Sequence, residues 1–236
     1  MEAIFKSNSL ETVNVHVVDH AFSLLKGSDL PHLKNLFCYD NGIDDTAVEK
    51  LSHRISLEAL NITGNRFTDV GIRSLRNNRY LHTLELGESL ITNGCIETLL
   101  ELPSLHCLDI QGTTIDSDGI RELSNAKMLQ SLSIHDSQVT QESAVALSTL
   151  ETLTEIYFYF GGVQPETIKR LIDVPSLHEI VFIKSRSSRV RESNRALIEP
   201  LSALPQLRHV RGVCASLAIE LHAIRPDLLI NGSYFR

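Results

Sequence analysis

The amino-acid sequence predicts an α/β solenoid, an elongated domain of short strand–turn–helix units stacked along one axis. A leucine recurs every 24 residues through seven consecutive units, at Leu33, Leu57, Leu81, Leu105, Leu129, Leu153 and Leu177. Apolar residues early in each unit lie two apart, which is typical of a strand, and later ones lie three apart, which is typical of a helix. A fixed period of roughly 20 to 50 residues indicates repeats that pack on their neighbours.

When the units are aligned, one pair of apolar positions predicts the strand of each unit and a second pair predicts its helix. Apolar residues three and five places after the leucine share one face of a strand. They are Leu36 and Cys38, Leu60 and Ile62, Leu84 and Leu86, Leu108 and Ile110, Leu132 and Ile134, Ile156 and Phe158, and Ile180 and Phe182. The helix is predicted from Val48 and Leu51, Ile72 and Leu75, Ile96 and Leu99, Ile120 and Leu123, Ala144 and Leu147, and Ile168 and Leu171.

The residue before each predicted helix carries a side chain that can cap the unpaired N–H groups of a helix start. These residues are Asp44, Thr68, Thr92, Asp116 and Thr140. In the sixth unit Gln164 takes this position and is followed by Pro165, which suits the first helical turn. Acidic residues just behind the caps are expected to stabilise the positive end of the helix dipole. They are Asp45, Asp69, Asp118, Glu142 and Glu166.

The repeat reads L-x-x-L-x-L, then a polar residue, then I and T/D-D-x-G-I-x-x-L, and its clearest copy is Leu57–Leu75. This pattern resembles the leucine-rich-repeat family, in particular its ribonuclease-inhibitor-like and cysteine-containing-like forms. The resemblance implies a leucine-rich-repeat solenoid of the α/β class. Such a fold is a curved horseshoe, here with about nine parallel strands on the concave face and short helices on the convex face.

The column that usually holds asparagine in this family departs from the pattern. It reads Asn41, Asn65, Ser89, Thr113, Ser137, Gly161 and Ser185. We expect the hydroxyl groups to satisfy turn amides in place of the asparagine side chain, with looser turns in the later units.

The chain is predicted to form a single domain over residues 1–236. Residues 1–32 are expected to hold an N-terminal cap and a degenerate first repeat, including strands near Ala3–Lys6 and Val13. Seven repeats follow over residues 33–206, and the seventh carries an insertion at about 185–194. Residues 207–236 form a C-terminal repeat and cap, with Leu207, Val210 and Gly212 in the strand columns. Terminal repeats are atypical because they cover an otherwise open core.

Composition favours an intracellular, cytoplasmic protein. The chain has 236 residues, 42% of them hydrophobic, and no apolar run that is long enough to span a bilayer. Its N-terminus does not have the layout of a signal peptide. The four cysteines show no C-x-x-C spacing and no arrangement suited to pairing, so neither a disulfide framework nor a zinc site is indicated.

Charge is distributed unevenly along the chain. Residues 1–183 carry 13 basic and 25 acidic side chains, whereas residues 184–236 carry 9 basic and 4 acidic ones. This asymmetry can steer a charged partner. The alternative interpretation is a solvated surface on which the two signs have happened to separate.

The strand side chains that point away from the core are predicted to line the concave wall. An aromatic and aliphatic group in the sixth and seventh units consists of Tyr157, Tyr159, Phe160, Val181 and Ile183. Such residues are typical of interface hot spots. Alternatively, the insertion folds over them to make a small satellite core. Phe37 and Tyr39 form a second anchor, and between the anchors lies an acidic strip of Glu85, Glu88, Asp109 and Asp136. A basic partner surface with apolar ends would suit this wall.

The segment Lys184–Arg195 lengthens the seventh repeat from 24 to 30 residues. Its five cations are Lys184, Arg186, Arg189, Arg191 and Arg195, accompanied by four serines and one acid. This composition predicts an exposed loop. It is either a tolerated solvated insertion, a phosphate or nucleic-acid contact, or a segment switched by phosphorylation.

Catalytic patterns are weak in this sequence. His82 and His106 share a column, but a metal site needs three or four ligands. The group Ser133, His135 and Asp136 resembles a catalytic triad in composition only, because no oxyanion hole can be argued for it. The sequence contains no nucleophile elbow, phosphate-binding glycine loop or H-E-x-x-H motif. We therefore predict a protein that is not an enzyme and that has no cofactor and no metal.

The resemblance implies a scaffold or adaptor that binds another protein through its concave face. Family members of this kind also include enzyme inhibitors and secreted bacterial effectors, which are the more remote alternatives. Binding of anions or nucleic acid through Lys184–Arg195 is a further alternative, although the negative charge of the rest of the chain does not favour nucleic acid. No membrane partner is indicated, and we expect a monomer or a weak oligomer.

Overall fold

The computed structural model describes residues 11–16, 32–40, 42–53, 56–135, 138–160, 163–184 and 195–232. The chain divides into two compact units, Met1–Gly119 and Ile120–Arg236, which we call unit 1 and unit 2. Each unit is built from short parallel strands that alternate with short helices, as the two apolar periodicities predict.

Unit 1 contains five parallel strands in chain order. They are β1 (Thr12–His16), β2 (Asn35–Tyr39), β3 (Ala59–Asn61), β4 (Thr83–Glu85) and β5 (Cys107–Asp109). The helices that follow are α1 (Asp45–Ser52), α2 (Asp69–Ser74) and α3 (Ile96–Leu100), with 3₁₀ turns at Leu75–Asn77 and Asn93–Cys95. The next helix, α4 (Ser117–Leu123), begins in unit 1 and ends in unit 2. Equivalent positions of successive repeats lie side by side, so Phe37, Asn61, Glu85 and Asp109 form one row across four strands.

Unit 2 repeats the arrangement with five more strands. They are β6 (Ser131–Ile134), β7 (Glu155–Phe160), β8 (Glu179–Lys184), β9 (His209–Val213) and β10 (Leu229–Gly232). Its helices are α5 (Gln141–Leu147), α6 (Pro165–Arg170), α7 (Ile198–Ser202) and α8 (Ala215–Ile224), with 3₁₀ turns at Leu171–Asp173 and Arg195–Leu197. The described residues therefore hold ten parallel strands, in agreement with the expectation of about nine.

The core of both units consists of the predicted apolar columns. All seven starting leucines are buried, as are the inward-facing strand residues such as Leu60 and Ile156 and the helix residues such as Ile72. Phe158 and Phe182 stack across β7 and β8 with ring centroids 6.3 Å apart. Since a buried leucine contributes about 2 kcal/mol of transfer free energy, these repeated columns are the main source of stability.

Helix capping is confirmed at five of the six predicted positions. Each of the five side chains accepts a hydrogen bond from an N–H group two or three residues later, and the residues are Asp44, Thr68, Thr92, Asp116 and Thr140. Gln164 makes no side-chain bond of this kind, although Pro165 does stand at the start of its helix. Since Pro165 has no N–H group, α6 has one fewer donor that needs a cap.

The acidic residues behind the caps do more than stabilise the helix dipole, because two of them bind the following repeat. The Asp45 carboxylate accepts hydrogen bonds from the Thr68 N–H (2.7 Å), the Thr68 hydroxyl (2.9 Å) and the Gly71 N–H (3.0 Å). Asp69 binds the N–H and hydroxyl of Thr92 in the same way, at 2.8 and 2.6 Å. These bonds join the helix starts of neighbouring repeats within unit 1.

The asparagine column has two modes of bonding. Asn65 accepts a hydrogen bond from the Ile43 N–H (2.9 Å) and donates to the carbonyl oxygens of Cys38 (2.9 Å) and Ile62 (2.7 Å). Ser89 and Thr113 were expected to satisfy turn amides, but their hydroxyls instead donate to carbonyls three residues earlier. These two hydroxyls therefore bond within their own turns, whereas the Asn65 side chain also binds the preceding repeat at Ile43 and Cys38. Asn41, Ser137, Gly161 and Ser185 lie outside the described residues.

The C-terminal strand columns differ from the prediction by one residue. Gly212 was assigned to the core column, but its φ is +79° and the buried residue is Val213. The pairing of β9 with β10 shifts at this point, because Asn231 lies opposite Arg211 whereas Gly232 lies opposite Val213. This β-bulge places one extra residue in β9. After this bulge, α8 and β10 complete the C-terminal part of unit 2.

Among the described residues, no helix has the length and apolar character that a membrane span requires.

Candidate functional site

The outward-facing residues of β2 to β5 form what we call the acidic face. It comprises Phe37, Tyr39, Asn61, Thr63, Glu85, Gly87, Asp109 and Gln111, with Asp40 and Glu88 at the strand ends. Phe37, Tyr39 and Glu85 are half-buried and Glu88 is exposed. Asp109 is only 6% exposed. The predicted anchor Phe37 and Tyr39 therefore lies in the same unit as three of the four residues of the predicted acidic strip.

Hydrogen bonds fix the carboxylates of the acidic face. The Nδ2 of Asn61, a residue only 1% exposed, donates to the Glu85 carboxylate, while its Oδ1 accepts the Thr63 N–H at 3.1 Å. The Asp109 carboxylate accepts the Gln111 N–H at 2.9 Å. Burial raises the pKa of Glu85, and burial together with the charge of Glu85 raises the pKa of Tyr39. Glu85 and Tyr39 are therefore electrostatically coupled and partly desolvated.

Two acidic residues at the end of this face have a left-handed backbone, with φ of +52° at Asp40 and +54° at Glu88. The residue beside each of them on the next strand is a glycine, Gly64 or Gly112, and also has positive φ. The Asp40 carboxylate and the Glu88 side chain occupy the space where side chains of these glycines would lie. Non-glycine residues in this conformation are uncommon. The alternation of acid and glycine lets the acidic side chains lie flat across the next repeat.

In unit 2 the outward-facing residues Tyr157, Val181 and Ile183 form what we call the Tyr157 patch. Tyr157 pairs with Val181 across β7 and β8, and two residues further along the backbone of Tyr159 pairs with that of Ile183. Tyr157 and Ile183 are half-buried, whereas Val181 is 9% exposed. The Tyr157 hydroxyl donates to Glu155 at 2.9 Å. Burial first, and then the bond to Glu155, raise the pKa of Tyr157 to about 12. The hydroxyl therefore stays protonated, and its orientation is fixed.

Sequence reasoning missed a charged pair beside this patch. Arg211 on β9 lies opposite Val181, and its Nε donates to the Glu179 carboxylate. The Nδ1 of His209 lies 3.6 Å from the same carboxylate. The signal was available, because His209 and Arg211 stand two and four places after Leu207, in the columns that gave the other outward residues.

Other predicted site residues are described only in part. For Tyr159, Phe160 and Lys184 the strand backbone alone is described, while Asp136, Arg186, Arg189 and Arg191 lie outside the described residues. The predicted fold-back of the insertion over the aromatic residues lies outside them as well. Arg195 is exposed, and its guanidinium is 2.6 Å from the Glu220 carboxylate on α8. At least one of the five predicted basic residues is thus engaged within its own unit.

The histidines considered as metal ligands contact different groups. The Nε2 of His82 lies 3.9 Å from Glu58 and its Nδ1 3.1 Å from the Thr83 hydroxyl, whereas the Nδ1 of His106 contacts the Ser104 carbonyl. Within the described part of the chain, no group of three or more His, Cys, Asp or Glu side chains is arranged to hold a metal ion.

All four cysteines are free thiols, and their different surroundings predict different rates of alkylation. Burial raises the pKa of Cys38 and of Cys95 to about 12. Partial burial also acts on Cys214 at the start of α8, but hydrogen bonds from Ser216 and from backbone N–H groups outweigh it and lower the pKa. Because the thiolate is the nucleophile, we expect iodoacetamide at pH 7.5 to modify Cys214 well before Cys38 and Cys95. Peptide mass spectrometry over time measures this order.

Unfolding in urea provides the control for this order, because it should remove the protection of Cys38 and Cys95. Equal modification rates in the folded protein would contradict the assignment. A Cys214→Ser variant should lose the fast reaction and keep the slow ones.

Comparisons with known proteins agree with this architecture. A family model described as a leucine-rich repeat matches residues 53–75 and 101–124. No curated protein matches the chain. An internalin, InlF of Listeria monocytogenes, is 17% identical, with a TM-score of 0.49 over 98% of this chain and 68% of the internalin chain. The structure of a TLR13–ssRNA13 complex is 18% identical, with a TM-score of 0.56 over 95% of this chain. This chain spans 36% of the TLR13 chain, and the likeness concerns the fold alone.

Repeated strand–helix units, buried leucine columns and an asparagine that joins two repeats define the class of leucine-rich-repeat solenoids. The two matched segments coincide with the second unit, around Leu57–Leu75, and with the fourth, which begins at Leu105. The chain therefore has the fold of a leucine-rich-repeat solenoid, and two of its repeats match the leucine-rich-repeat family model.

Proposed function

We propose that this protein is a scaffold or adaptor without catalytic activity of its own, and that it binds another protein through the outward faces of its strands. The observation that carries the proposal is the Tyr157 patch, in which a half-buried tyrosine lies beside Val181 on two paired parallel strands. Leucine-rich repeats commonly mediate protein–protein interaction, and this patch gives that general role a specific location in the chain.

The physical properties of the patch suit an interface hot spot. Tyrosine contributes a large contact area with few rotatable bonds, so little conformational entropy is lost when a partner covers it. The hydrogen bond to Glu155 holds the ring in place before binding occurs. Arg211 and Glu179 add a charged pair at the edge of the patch, where polar groups help to exclude the wrong partners.

Replacing Tyr157 by alanine is expected to weaken partner binding at least about tenfold, which is the effect of removing a typical hot-spot side chain. The measurement is quantitative capture from the lysate of the source cells, with the wild-type protein and the variant compared by mass spectrometry. Tyr157→Ala combined with Tyr159→Ala should abolish capture. Tyr157→Phe separates the contribution of the ring from that of the hydroxyl.

Tyr80→Ala is the matched control, because Tyr80 is 64% exposed and lies in unit 1 outside the strand face. It should capture the same proteins as the wild type. The proposal fails if Tyr157→Ala, folded by circular dichroism, captures every protein that Tyr80→Ala captures.

We further propose that the protein acts in the cytoplasm. The support is the state of its thiols, because the four cysteines are all unpaired and such thiols persist in a reducing compartment. Fractionation of the source cells followed by immunodetection tests this location, and recovery in the extracellular medium would refute it.

A further inference from the structure

A second apolar side chain lies on the same strand face as the Tyr157 patch. Leu229 on β10 lies opposite His209 on β9, which in turn lies opposite Glu179 on β8. Paired residues of parallel strands point to the same side of a sheet, so Leu229 faces outward with Glu179 and with Val181, two residues further along β8. Leu229 is 62% exposed, so most of its apolar surface faces solvent.

The distance between Leu229 and the patch corresponds to two turns of an α-helix. Two strand spacings, or roughly 10 Å, and two residues along the strand, or about 7 Å, separate Val181 from Leu229, which gives roughly 12 Å between them. A helix rises about 1.5 Å per residue, so side chains at i and i+7 or i+8 lie roughly 10 to 12 Å apart on one face. One helix can therefore contact the Tyr157 patch and Leu229 together.

The strands beneath the patch are paired on both sides. β7 pairs with β6 and β8, β8 with β7 and β9, and β9 with β8 and β10. An extended segment laid on this face would gain no ladder of main-chain hydrogen bonds, and its covered N–H and C=O groups would lose their bonds to water. A helix satisfies these groups internally and presents its side chains alone. The paired strands therefore favour a helical partner segment.

The charged side chains between the two apolar contacts are already engaged. The Glu179 side chain is only 12% exposed, and its carboxylate accepts a hydrogen bond from the Arg211 Nε and lies 3.6 Å from the His209 Nδ1. Glu155 accepts the bond from the Tyr157 hydroxyl. A charged group of the partner would have to compete with these bonds, whereas an apolar side chain over Arg211 excludes water and strengthens its ion pair. The face therefore favours an uncharged, apolar contact.

We propose that the strand face of β7 to β10 binds an amphipathic helix of a partner protein. The apolar stripe of this helix covers the Tyr157 patch at one end and Leu229 two turns further on, and it passes over Arg211 between them. The inference rests on the proposed function, because it names the kind of segment that the Tyr157 patch binds and adds Leu229 as a second contact.

Selection from a phage-displayed library of random peptides of about 16 residues tests the inference, because this length allows about four helical turns. We expect the selected peptides to carry apolar residues at i, at i+3 or i+4, and at i+7 or i+8. Synthetic copies should gain helical circular dichroism on binding, and a central proline should weaken binding at least about tenfold, since proline breaks a helix. Raising the salt concentration from about 50 to 300 mM should change the affinity less than about twofold, because salt screens charges and the contact is apolar.

Leu229→Ala should weaken binding of these peptides about tenfold, because it removes one of the two apolar contacts. Ile219→Ala is the matched control, since Ile219 is 71% exposed on α8 of the same unit and lies outside the strand face. It should bind the peptides as the wild type does. Both side chains are exposed, so neither variant loses core packing, and thermal unfolding followed by circular dichroism checks this.

Tyr157→Ala separates a failure of this inference from a failure of the proposed function. Peptides that require Tyr157 but tolerate the central proline, or that bind Leu229→Ala as tightly as the wild type, overturn the helical partner and leave the Tyr157 patch as an interface. Peptides rich in charged residues whose binding falls steeply with salt overturn the inference as well. Helical peptides that bind Tyr157→Ala unchanged overturn it too, and they count against the patch itself.

Discussion

Replacement of Gly212 by alanine is expected to lower the free energy of unfolding by about 3 kcal/mol or more. The φ of Gly212 is +79°, a conformation that costs an L-residue about 1 to 2 kcal/mol. A Cβ atom at this position would also overlap the backbone carbonyl of Phe182 on the adjacent strand β8. Backbone cannot move aside as a flexible side chain can, so the overlap adds about 1 to 3 kcal/mol.

Gly42 provides the matched control for Gly212. Its φ of +65° is similar, but a Cβ atom there would meet nothing within 4 Å. Gly42→Ala should therefore show the conformational cost alone, about 1 to 2 kcal/mol. Urea unfolding followed by circular dichroism measures both variants. If both variants lose the same free energy of unfolding, the close approach of β9 to Phe182 contributes nothing to the effect at Gly212.

The bulge at Gly212 also shows what a column of aligned repeats can and cannot predict. Leu207 and Val210 are buried as the columns require, and the strand begins where it was expected. The next column then holds Val213 in place of Gly212. A bulge arises from the backbone conformation and from the approach of a neighbouring strand. The spacing of apolar residues carries no information about either of these.

Contacts within one repeat were easier to predict than contacts between repeats. A threonine or aspartate before a helix caps that helix, because donor and acceptor are two or three residues apart in the chain. The carboxylate of Asp45 instead reaches Thr68 and Gly71, 23 and 26 residues away. Only the stacking of repeats in space creates that contact, so the sequence suggested the helix dipole as the role of Asp45.

For the candidate sites as well, features that depend on one strand alone were easier to predict than features that depend on its neighbours. Strand alternation correctly assigned Tyr157 and Glu85 to the outward face, since that assignment needs only the period of two. It did not show that Asp109 and Val181 are nearly covered, because burial depends on the side chains of adjacent strands. Arg211 was missed because its repeat begins 30 residues after Leu177, beyond the insertion that interrupts the period.

The second large effect is expected at Asn65, which is 3% exposed and joins two repeats. Its side chain accepts the Ile43 N–H and donates to the carbonyls of Cys38 and Ile62. Asn65→Ala leaves these backbone groups buried without partners, at about 1 to 3 kcal/mol for each unsatisfied group. We therefore expect a loss of about 3 kcal/mol or more in the free energy of unfolding by urea, together with faster hydrogen exchange at the Ile43 amide.

Ser89→Ala in the same column is the control for this prediction. Ser89 is also buried, but its hydroxyl makes a single bond, to the Leu86 carbonyl at 2.6 Å, and that bond lies within its own turn. Its loss should cost about 1 kcal/mol and leave exchange at Ile43 unchanged. If Asn65→Ala costs no more than Ser89→Ala, the bonds that join repeats add nothing beyond those within a turn. If it costs more, and Ile43 alone loses protection, Asn65 connects the first two full repeats in a way that the later hydroxyl residues do not.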